Sequence, residues 1–451
     1  MAEKKTINMT EGSAALNILR FAFPLMLANL LEIAFNTADT VIVGQFCGQK
    51  ALAAVGAAGP ITVFFIWGFS GLSVGVDVLV ARMLGKKDEE AVITSVHTAF
   101  FIALCGGLLM SAAGFFGAPV IASVMRVPDD IIAETVRYLR IYFLSGLPYA
   151  FYAFGAAVYR ASGETKKPTF YLALGGAVNV ALNLIFVAWF GMGVFGVAFA
   201  TFLSQLLSGV LNTVSLMREN SVIRLKPSMI QADGFCVSEI LRIGVPSAMQ
   251  NMLFSLSNLA VQSSINAYGS VAVAANAAAN AVEEYVYICV DSFPKAVVTF
   301  TGQNAGAGNI KRIPEILITS LIMTAAGSFA IGYGALKGGP FLLSWFTSDA
   351  EVISMGMYRL RYVTLFLGIN GLLDDVVGSI RGMGYSLLPT LVTLSGICGF
   401  RLLYIWFWCS THPGLDQLYL CFPYSWIITL AVQTVLWFFI YGRYRDEAGV
   451  H

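Results

Sequence analysis

Arg160-Ala161-Ser162-Gly163-Glu164-Thr165-Lys166-Lys167-Pro168 returns 221 residues later as Arg381-Gly382-Met383-Gly384-Tyr385-Ser386-Leu387-Leu388-Pro389. Each stretch reads Arg-x-x-Gly-x-x-x-x-Pro. These three residues at fixed spacing, twice at one offset, are hard to reach by chance. Glycine followed by proline also marks a break between helices. The register extends outward. Ile18-Leu19-Arg20 and Pro24 answer to Ile240-Leu241-Arg242 and Pro246 at an offset of 222. After the loss of one residue, Gly48, Gly85 and Arg140 answer to Gly269, Gly306 and Arg361 at 221. The chain is a duplication.

What is duplicated is a membrane bundle. Of 451 residues, 57% are hydrophobic and 12% charged, with a mean hydropathy of +0.74. Soluble domains carry about 25% charged residues, so the surfaces of a soluble enzyme cannot be wetted here. A net charge of +1 excludes a strongly basic nucleic-acid binder. The seven cysteines show no Cys-x-x-Cys spacing and the three histidines are scattered, so neither a disulfide framework nor a structural zinc site is expected. No GxSxG, HExxH or phosphate-loop pattern is present, and the loops are too short for a nucleotide-binding domain. The chain is therefore expected to be neither an enzyme nor an ATP-driven pump, and to need no cofactor. The first apolar stretch is too long for a cleaved signal and reads as a span that stays.

A span needs about 20 mostly apolar residues. Twelve stretches qualify: 18–43, 51–79, 92–115, 134–157, 168–190, 193–216, 240–267, 273–302, 314–337, 354–380, 387–408 and 418–442. The expected fold is an all-α membrane protein of twelve transmembrane helices in two parallel six-helix repeats. The lobes are 1–217 and 235–451, joined by a polar linker at 218–234. An even number of spans per repeat puts both repeats in one orientation, with the pseudo-two-fold along the membrane normal. Placing the termini, linker and even-numbered loops on one side gives that side most of the Lys and Arg. Only Lys50, Arg126, Arg137, Arg140, Lys337, Arg359 and Arg361 fall opposite, and Lys295 and Arg401 lie inside spans. Both termini of this multi-pass cell-membrane protein are then cytoplasmic.

Polar residues line single helix faces inside these spans. The first carries Asn29, Glu32, Asn36 and Asp39, which share a face at 100° per residue. Such a face either packs as a hydrogen-bonded seam or lines a pathway. A carboxylate taken out of water can exchange protons near neutral pH, which favours the functional reading for Asp39. Asn179 with Asn183, and Thr201 with Gln205, are pairs at i, i+4. The seventh span shows an uncharged stripe, Asn251, Ser255, Asn258, Gln262 and Asn266, suited to a cavity wall. The second half is the more heavily charged. Glu283, Glu284, Asp291, Asp374 and Asp375 face only Lys295 and Arg401, a surplus of acid. Lys295 is expected to be held by Asp291, one turn away, and by Asp374 or Asp375; either aspartate could also pair with Arg401. Asp77 is expected to pair with Arg82 near the surface.

Three stretches resemble one family. They are Asn36-Thr37-Ala38-Asp39-Thr40-Val41-Ile42-Val43-Gly44, the Arg160–Pro168 segment followed by Asn179, and Gly302-Gln303-Asn304-Ala305-Gly306-Ala307-Gly308-Asn309. Together with Pro24 they resemble the MATE family of multidrug and toxic compound extrusion transporters, over nearly the whole chain. The resemblance implies cation-coupled antiport that exports mostly cationic or amphipathic organic compounds through a central cleft between the lobes. It implies a cation-coupling site at Asp39, Asn179 and Thr201, with Asn183 standing where the prokaryotic branch has a second aspartate. The other branch's glutamate on the seventh span is absent; Asn258 and Gln262 occupy that region. With one carboxylate, the site favours a proton over sodium as coupling ion, sodium at Asp39 being the alternative and no other metal being expected. The residues assigned to the substrate cavity are Glu32, Asn36, Asn258, Gln262, Glu283, Glu284, Asp291, Lys295, Asp374, Asp375 and Arg401. Lys295 and Arg401 depart from the family pattern and leave zwitterionic or anionic substrates open. The expected partners are a small-molecule substrate and the bilayer, with the protein a monomer. A lipid-linked oligosaccharide flippase of the same superfamily and a channel or sensor are the competing readings. The acid surplus argues against the first and the repeat against the second.

Overall fold

Inside lipid a chain must close its own backbone hydrogen bonds, which an α-helix does within one segment. The computed structural model describes residues 7–447, apart from the side chains of Gln49, Leu256 and Cys289, and every regular element among them is helical. Lys4, Lys5 and His451 lie outside the described residues. The first repeat runs α1 (Ala14–Phe46), α2 (Gly48–Lys86), α3 (Glu89–Val124), α4 (Ile132–Leu144), α5 (Gly146–Ala161), α6 (Lys166–Asn183) and α7 (Gly193–Met217). The second runs α8 (Gly234–Asn266), α9 (Ser270–Gly306), α10 (Arg312–Lys337), the short α11 (Gly339–Ser344), α12 (Ala350–Tyr362), α13 (Leu367–Gly382), α14 (Leu387–Thr393), α15 (Phe400–Leu403), α16 (Leu415–Tyr419) and α17 (Cys421–Glu447).

Among the described residues nine helical runs are long and apolar enough to cross a membrane, and a bent pair makes ten. Helices α8 and α9 have the length, carry the polar stripes, and complete the twelve. The bent pair is α4 and α5, angled by 42° where the sequence reads as a single span. Pro148 sits in the first turn of α5, where a missing N–H costs little but the chain cannot run on as one straight helix. The matching span of the second repeat, α12 and α13, is interrupted by a 3-10 turn at Thr364–Phe366.

The repeated motif that betrays the duplication is a helix stop. Gly163 and Gly384 take φ of 84° and 96°, where a side chain would cost about 1–2 kcal/mol. Beyond them Glu164 N–H reaches back to Tyr159 O at 3.0 Å, and Tyr385 N–H to Ile380 O at 3.2 Å. These bonds satisfy carbonyls the ending helix leaves open. Pro168 and Pro389 then stand in the first turns of α6 and α14. A second repeated feature is a close approach. A Cβ on Gly175 would lie 1.9 Å from Ser208 Oγ, and one on Gly396 2.2 Å from Thr429 Oγ1. Both pairs stand at the same offset of 221. The fifth span of each repeat thus touches the sixth where one has no side chain.

The chain divides into two compact units. Among the described residues one holds 27–84 and 88–244, the other 7–26, 85–87 and 245–447. At both edges this grouping departs from the expected lobes 1–217 and 235–451. Residues 7–26 join the second unit because Met9, Ile18 and Phe21 pack into a cluster with Phe293, Phe300 and Ile316. Asn304 also donates to Met9 O at 2.9 Å. The linker 218–234 is tied into the first unit: Lys226 N–H donates to His97 Nε2 at 3.0 Å and Thr98 Oγ1 to Gln231 O at 3.2 Å.

Candidate functional site

In the first repeat, α6 has to come close to α1 for its amides to reach Asp39. Gly176 permits this: a Cβ there would lie 2.0 Å from the Phe35 ring. One turn on, Asn179 and Asn183 are both buried and converge on the half-buried Asp39. Asn183 Nδ2 donates to Asp39 Oδ1 at 2.6 Å. One end of the Asn179 amide lies 2.7 and 3.0 Å from the two Asp39 oxygens. With Nδ2 at that end, an ionised Asp39 accepts from two amides. With Oδ1 there, the contact is favourable only if Asp39 carries a proton to donate. The cluster sits where α6 gives way to a π-helical turn, Leu184–Trp189, a local widening often found at functional sites. Thr201 is not brought into hydrogen-bond contact with Asp39. It donates to Val197 O of its own helix at 3.1 Å. Glu32 and Asn36 are exposed on the same face of α1.

Asp77 pairs with Arg160, Nε to Oδ2 3.1 Å, and not with Arg82, whose partner is Glu239 at 3.8 Å. The expected Asp77–Arg82 pair fails because Arg160 projects from α5, which packs beside α2, and reaches the carboxylate first.

The second repeat holds two separate networks. On α9, Asn276, Asn280 and Glu283 line one face at i, i+4, i+7, a row of oxygen acceptors. Arg359 fills it. Its Nε and Nη2 hold Glu283 at 3.0 and 3.1 Å, Nη1 reaches Asn276 Oδ1 at 2.8 Å, and Nη2 also reaches Asn280 Oδ1 at 2.9 Å. Tyr419 Oη donates to the same Asn276 oxygen at 3.0 Å. Asn276 passes its own N–H to Gln262, and Gln262 to Asn266. The span boundaries put Arg359 opposite the cytoplasmic side with the loop residues, yet it is buried, with 6% of its surface exposed. It stands in the last turn of α12, where the helix dipole favours a cation, and Asp349 caps the start of that helix. The signal for it is the acceptor row on α9, which calls for a multi-donor cation.

The other expected pairs divide. Lys295 is ion-paired with Asp291, as expected. Among the described residues no ion pair joins it to Asp374 or Asp375. Asp374 accepts from Asn370 Nδ2 at 3.2 Å and the fully buried Asp375 from Ser320 Oγ at 2.9 Å. Each carboxylate takes a hydrogen bond from α13 itself or from α10, and Asp375 Oδ2 is buried without a hydrogen-bond partner among the described residues. Glu284 is exposed. Arg401, 5% exposed, takes no carboxylate among the described residues. Its Nε donates to Ser425 Oγ at 3.1 Å and Nη1 to Asn258 Oδ1 at 3.3 Å, while its guanidinium lies over Phe422 at 4.3 Å. With Arg359 holding Glu283, the acid surplus in this half is smaller than the sequence suggests.

The MatE family model matches residues 24–185 and again 246–407, so the repeat is recovered at an offset of 222. "Probable multidrug resistance protein YpnP" of Bacillus subtilis is 26% identical over 86% of this chain and 88% of its own length. "Probable multidrug resistance protein NorM" of Thermotoga maritima is 25% identical over 85% and 83%. Among solved structures, a MATE protein in complex with MaL6 superposes with a TM-score of 0.91 at 20% identity, over 98% of this chain and 100% of that one. A MOP-superfamily transporter from Pyrococcus furiosus gives 0.90 at 20% identity, over 99% and 100%. For that protein, reverse polarity of the binding pocket is said to suggest a different function.

Proposed function

This chain belongs to the MatE family of multi-pass membrane transporters, and from that premise we propose that it exports organic compounds by alternating access, in exchange for protons taken up at Asp39. The curated relatives are named for multidrug resistance, which supports efflux of amphipathic organic molecules as the direction of transport. The two repeats suit alternating access. The balance of basic residues supports cytoplasmic termini. One protomer carries a complete pair of repeats, in keeping with a monomer.

The observation that carries proton coupling is the fit of Asn179 against Asp39. One amide can serve both states of the carboxyl by turning over, donating N–H to the anion and accepting O–H from the acid. A sodium ion would have a single charged ligand here, Asp39, with only neutral amides beside it. Hard cations hold better with more carboxylates. Glu32 and Asn36, exposed on the same face of α1, suit the approach to this group.

The test uses the protein in sealed vesicles with a fluorescent amphipathic cation. An imposed pH gradient should drive its movement, and Asp39→Asn should abolish that drive. Movement that follows a sodium gradient at fixed pH would replace the proton by sodium. Undiminished pH-driven movement by Asp39→Asn would remove Asp39 from the mechanism.

A further inference from the structure

We propose that Arg401, with Asn258 and the Phe422 ring it shares with Arg359, forms a binding site in the second repeat for an oxyanion group carried on an apolar body: an organic carboxylate, phosphate or sulfonate. It deepens the transport reading by naming a substrate class. It rests on that reading only in calling the ligand a substrate.

A guanidinium keeps its charge in a protein, and a buried charge is costly unless it is paired. Arg401 is buried, and its partners are all neutral. Ser425 accepts from Nε and passes its own proton to Phe422 O at 2.7 Å, so it brings no negative charge. Asn258 contributes only an amide oxygen. The second terminal nitrogen, Nη2, takes no hydrogen-bond partner among the described residues. The neighbouring cation deepens the imbalance. Arg359 lies over the same Phe422 ring at 5.5 Å, and Glu283, the one carboxylate it reaches, is already held by two of its nitrogens. Two guanidiniums therefore lie over one ring, only Arg359 of the two is paired with a carboxylate, and a single positive charge is left over.

The place is built to receive a ligand. Asn258 is exposed, so the tip of Arg401 that touches it lies at an open face of α8. The buried Phe422 and Trp426 rings, at 4.3 and 5.8 Å from the guanidinium, back it with aromatic surface. One turn along, the Tyr404 hydroxyl is sealed in without a hydrogen-bond partner. Arg401 Nη2 and the Tyr404 hydroxyl, on consecutive turns, are thus both without an acceptor among the described residues. Arginine's planar fork matches the geometry of a carboxylate or phosphate.

The experiment measures binding to the full-length protein in lipid nanodiscs, with no gradient, so its result does not depend on the coupling ion. The probes are naphthoate and naphthylmethylammonium, equal in apolar body and opposite in charge. Naphthoate should raise the melting midpoint saturably, and the ammonium should not. Arg401→Gln should weaken naphthoate by at least about tenfold, and Arg401→Lys should recover part of the loss. Asn258→Asp places a carboxylate at the position now 3.3 Å from Nη1. That variant should melt above the native protein and lose naphthoate binding, and it decides the matter alone if Arg401→Gln does not fold. Native affinity for naphthoate in Arg401→Gln or in Asn258→Asp, or tighter binding of the ammonium than of naphthoate, would overturn the proposal.

Discussion

One place in the fold occurs twice, and its chemistry is opposite in the two halves. At the offset of 221, Asn179 and Val180 correspond to Phe400 and Arg401, and Thr201 corresponds to Phe422. In the first repeat the fifth span turns two amides onto a carboxylate on the first, Asp39. In the second repeat the fifth span turns a guanidinium onto an amide on its first, Asn258. Both sites interrupt their helix with π-helical turns, at Leu184–Trp189 in one and at Leu394–Gly399 and Tyr404–Cys409 in the other. The backbone of the duplicate survives because it is held by shared glycine contacts, Gly175 on Ser208 and Gly396 on Thr429. The side chains between those contacts are free to diverge. A duplicated architecture therefore need not carry two copies of one polar site.

The sharpest way to break this comparison is to remove the charge network that only the second repeat has. Arg359→Met leaves the half-buried Glu283 without its cation and should destabilise the protein by about 2–4 kcal/mol. The matched Arg359→Met/Glu283→Gln double variant should recover much of that loss. Thermal unfolding in lipid nanodiscs reads both. A single variant that melts like the native protein would show that the pair is not a structural element of this half.

The shared scaffold predicts parallel damage. Gly175→Ala and Gly396→Ala should each cost about 1–3 kcal/mol by overpacking. Ser208→Ala should relieve the first more fully than Thr429→Ala relieves the second. The reason is that Ser208 meets the added Cβ chiefly with its hydroxyl, whereas Thr429 Cβ and Cγ2 also stand at 3.0 and 3.1 Å. Equal rescue in both halves would mean the two contacts are closer copies than their side chains suggest.

Smaller effects separate what is buried from what only lies on the helix surface. Lys295 and Asp291 keep 38% and 28% of their side chains exposed, so Lys295→Met should change stability by no more than about 1 kcal/mol. A larger loss would place Lys295 in a network with Asp374 after all. The smallest effect concerns Asp233, which caps α8 by accepting Cys236 N–H at 2.8 Å. That hydrogen bond holds its carboxyl below the ordinary value of 3.8. A carboxylate held low stabilises the fold at pH values above its ordinary range, and the contribution fades as pH falls through the lowered value. Asp233→Asn keeps the cap and should flatten that part of the acid limb of a melting curve, with no change at neutral pH.

Several features are legible in the amino-acid order alone. The Arg-x-x-Gly-x-x-x-x-Pro pair discloses the repeat because a left-handed glycine and a helix-starting proline leave a local mark that burial does not alter. Asp39, Asn179 and Asn183 stand out by helix face and by family resemblance, and the fold does bring them together. Arg359 is not legible in this way. It reads as one of the loop cations because α12 is a short helix joined by a 3-10 turn to α13, and its partner Glu283 lies 76 residues away in sequence. Arg401 stands out as an intramembrane charge, but the carboxylates expected for it, Asp374 and Asp375, take hydrogen bonds from Asn370 and Ser320 and form no ion pair with it among the described residues.

By itself the sequence determined the class, the number of spans and the duplication, because each depends on composition, periodicity or a local turn. Only the tertiary structure decided which charge meets which. Pairing depends on the close approach of helices far apart in the chain, through contacts such as Gly176 on Phe35, and a difference of one side chain in width changes the partner.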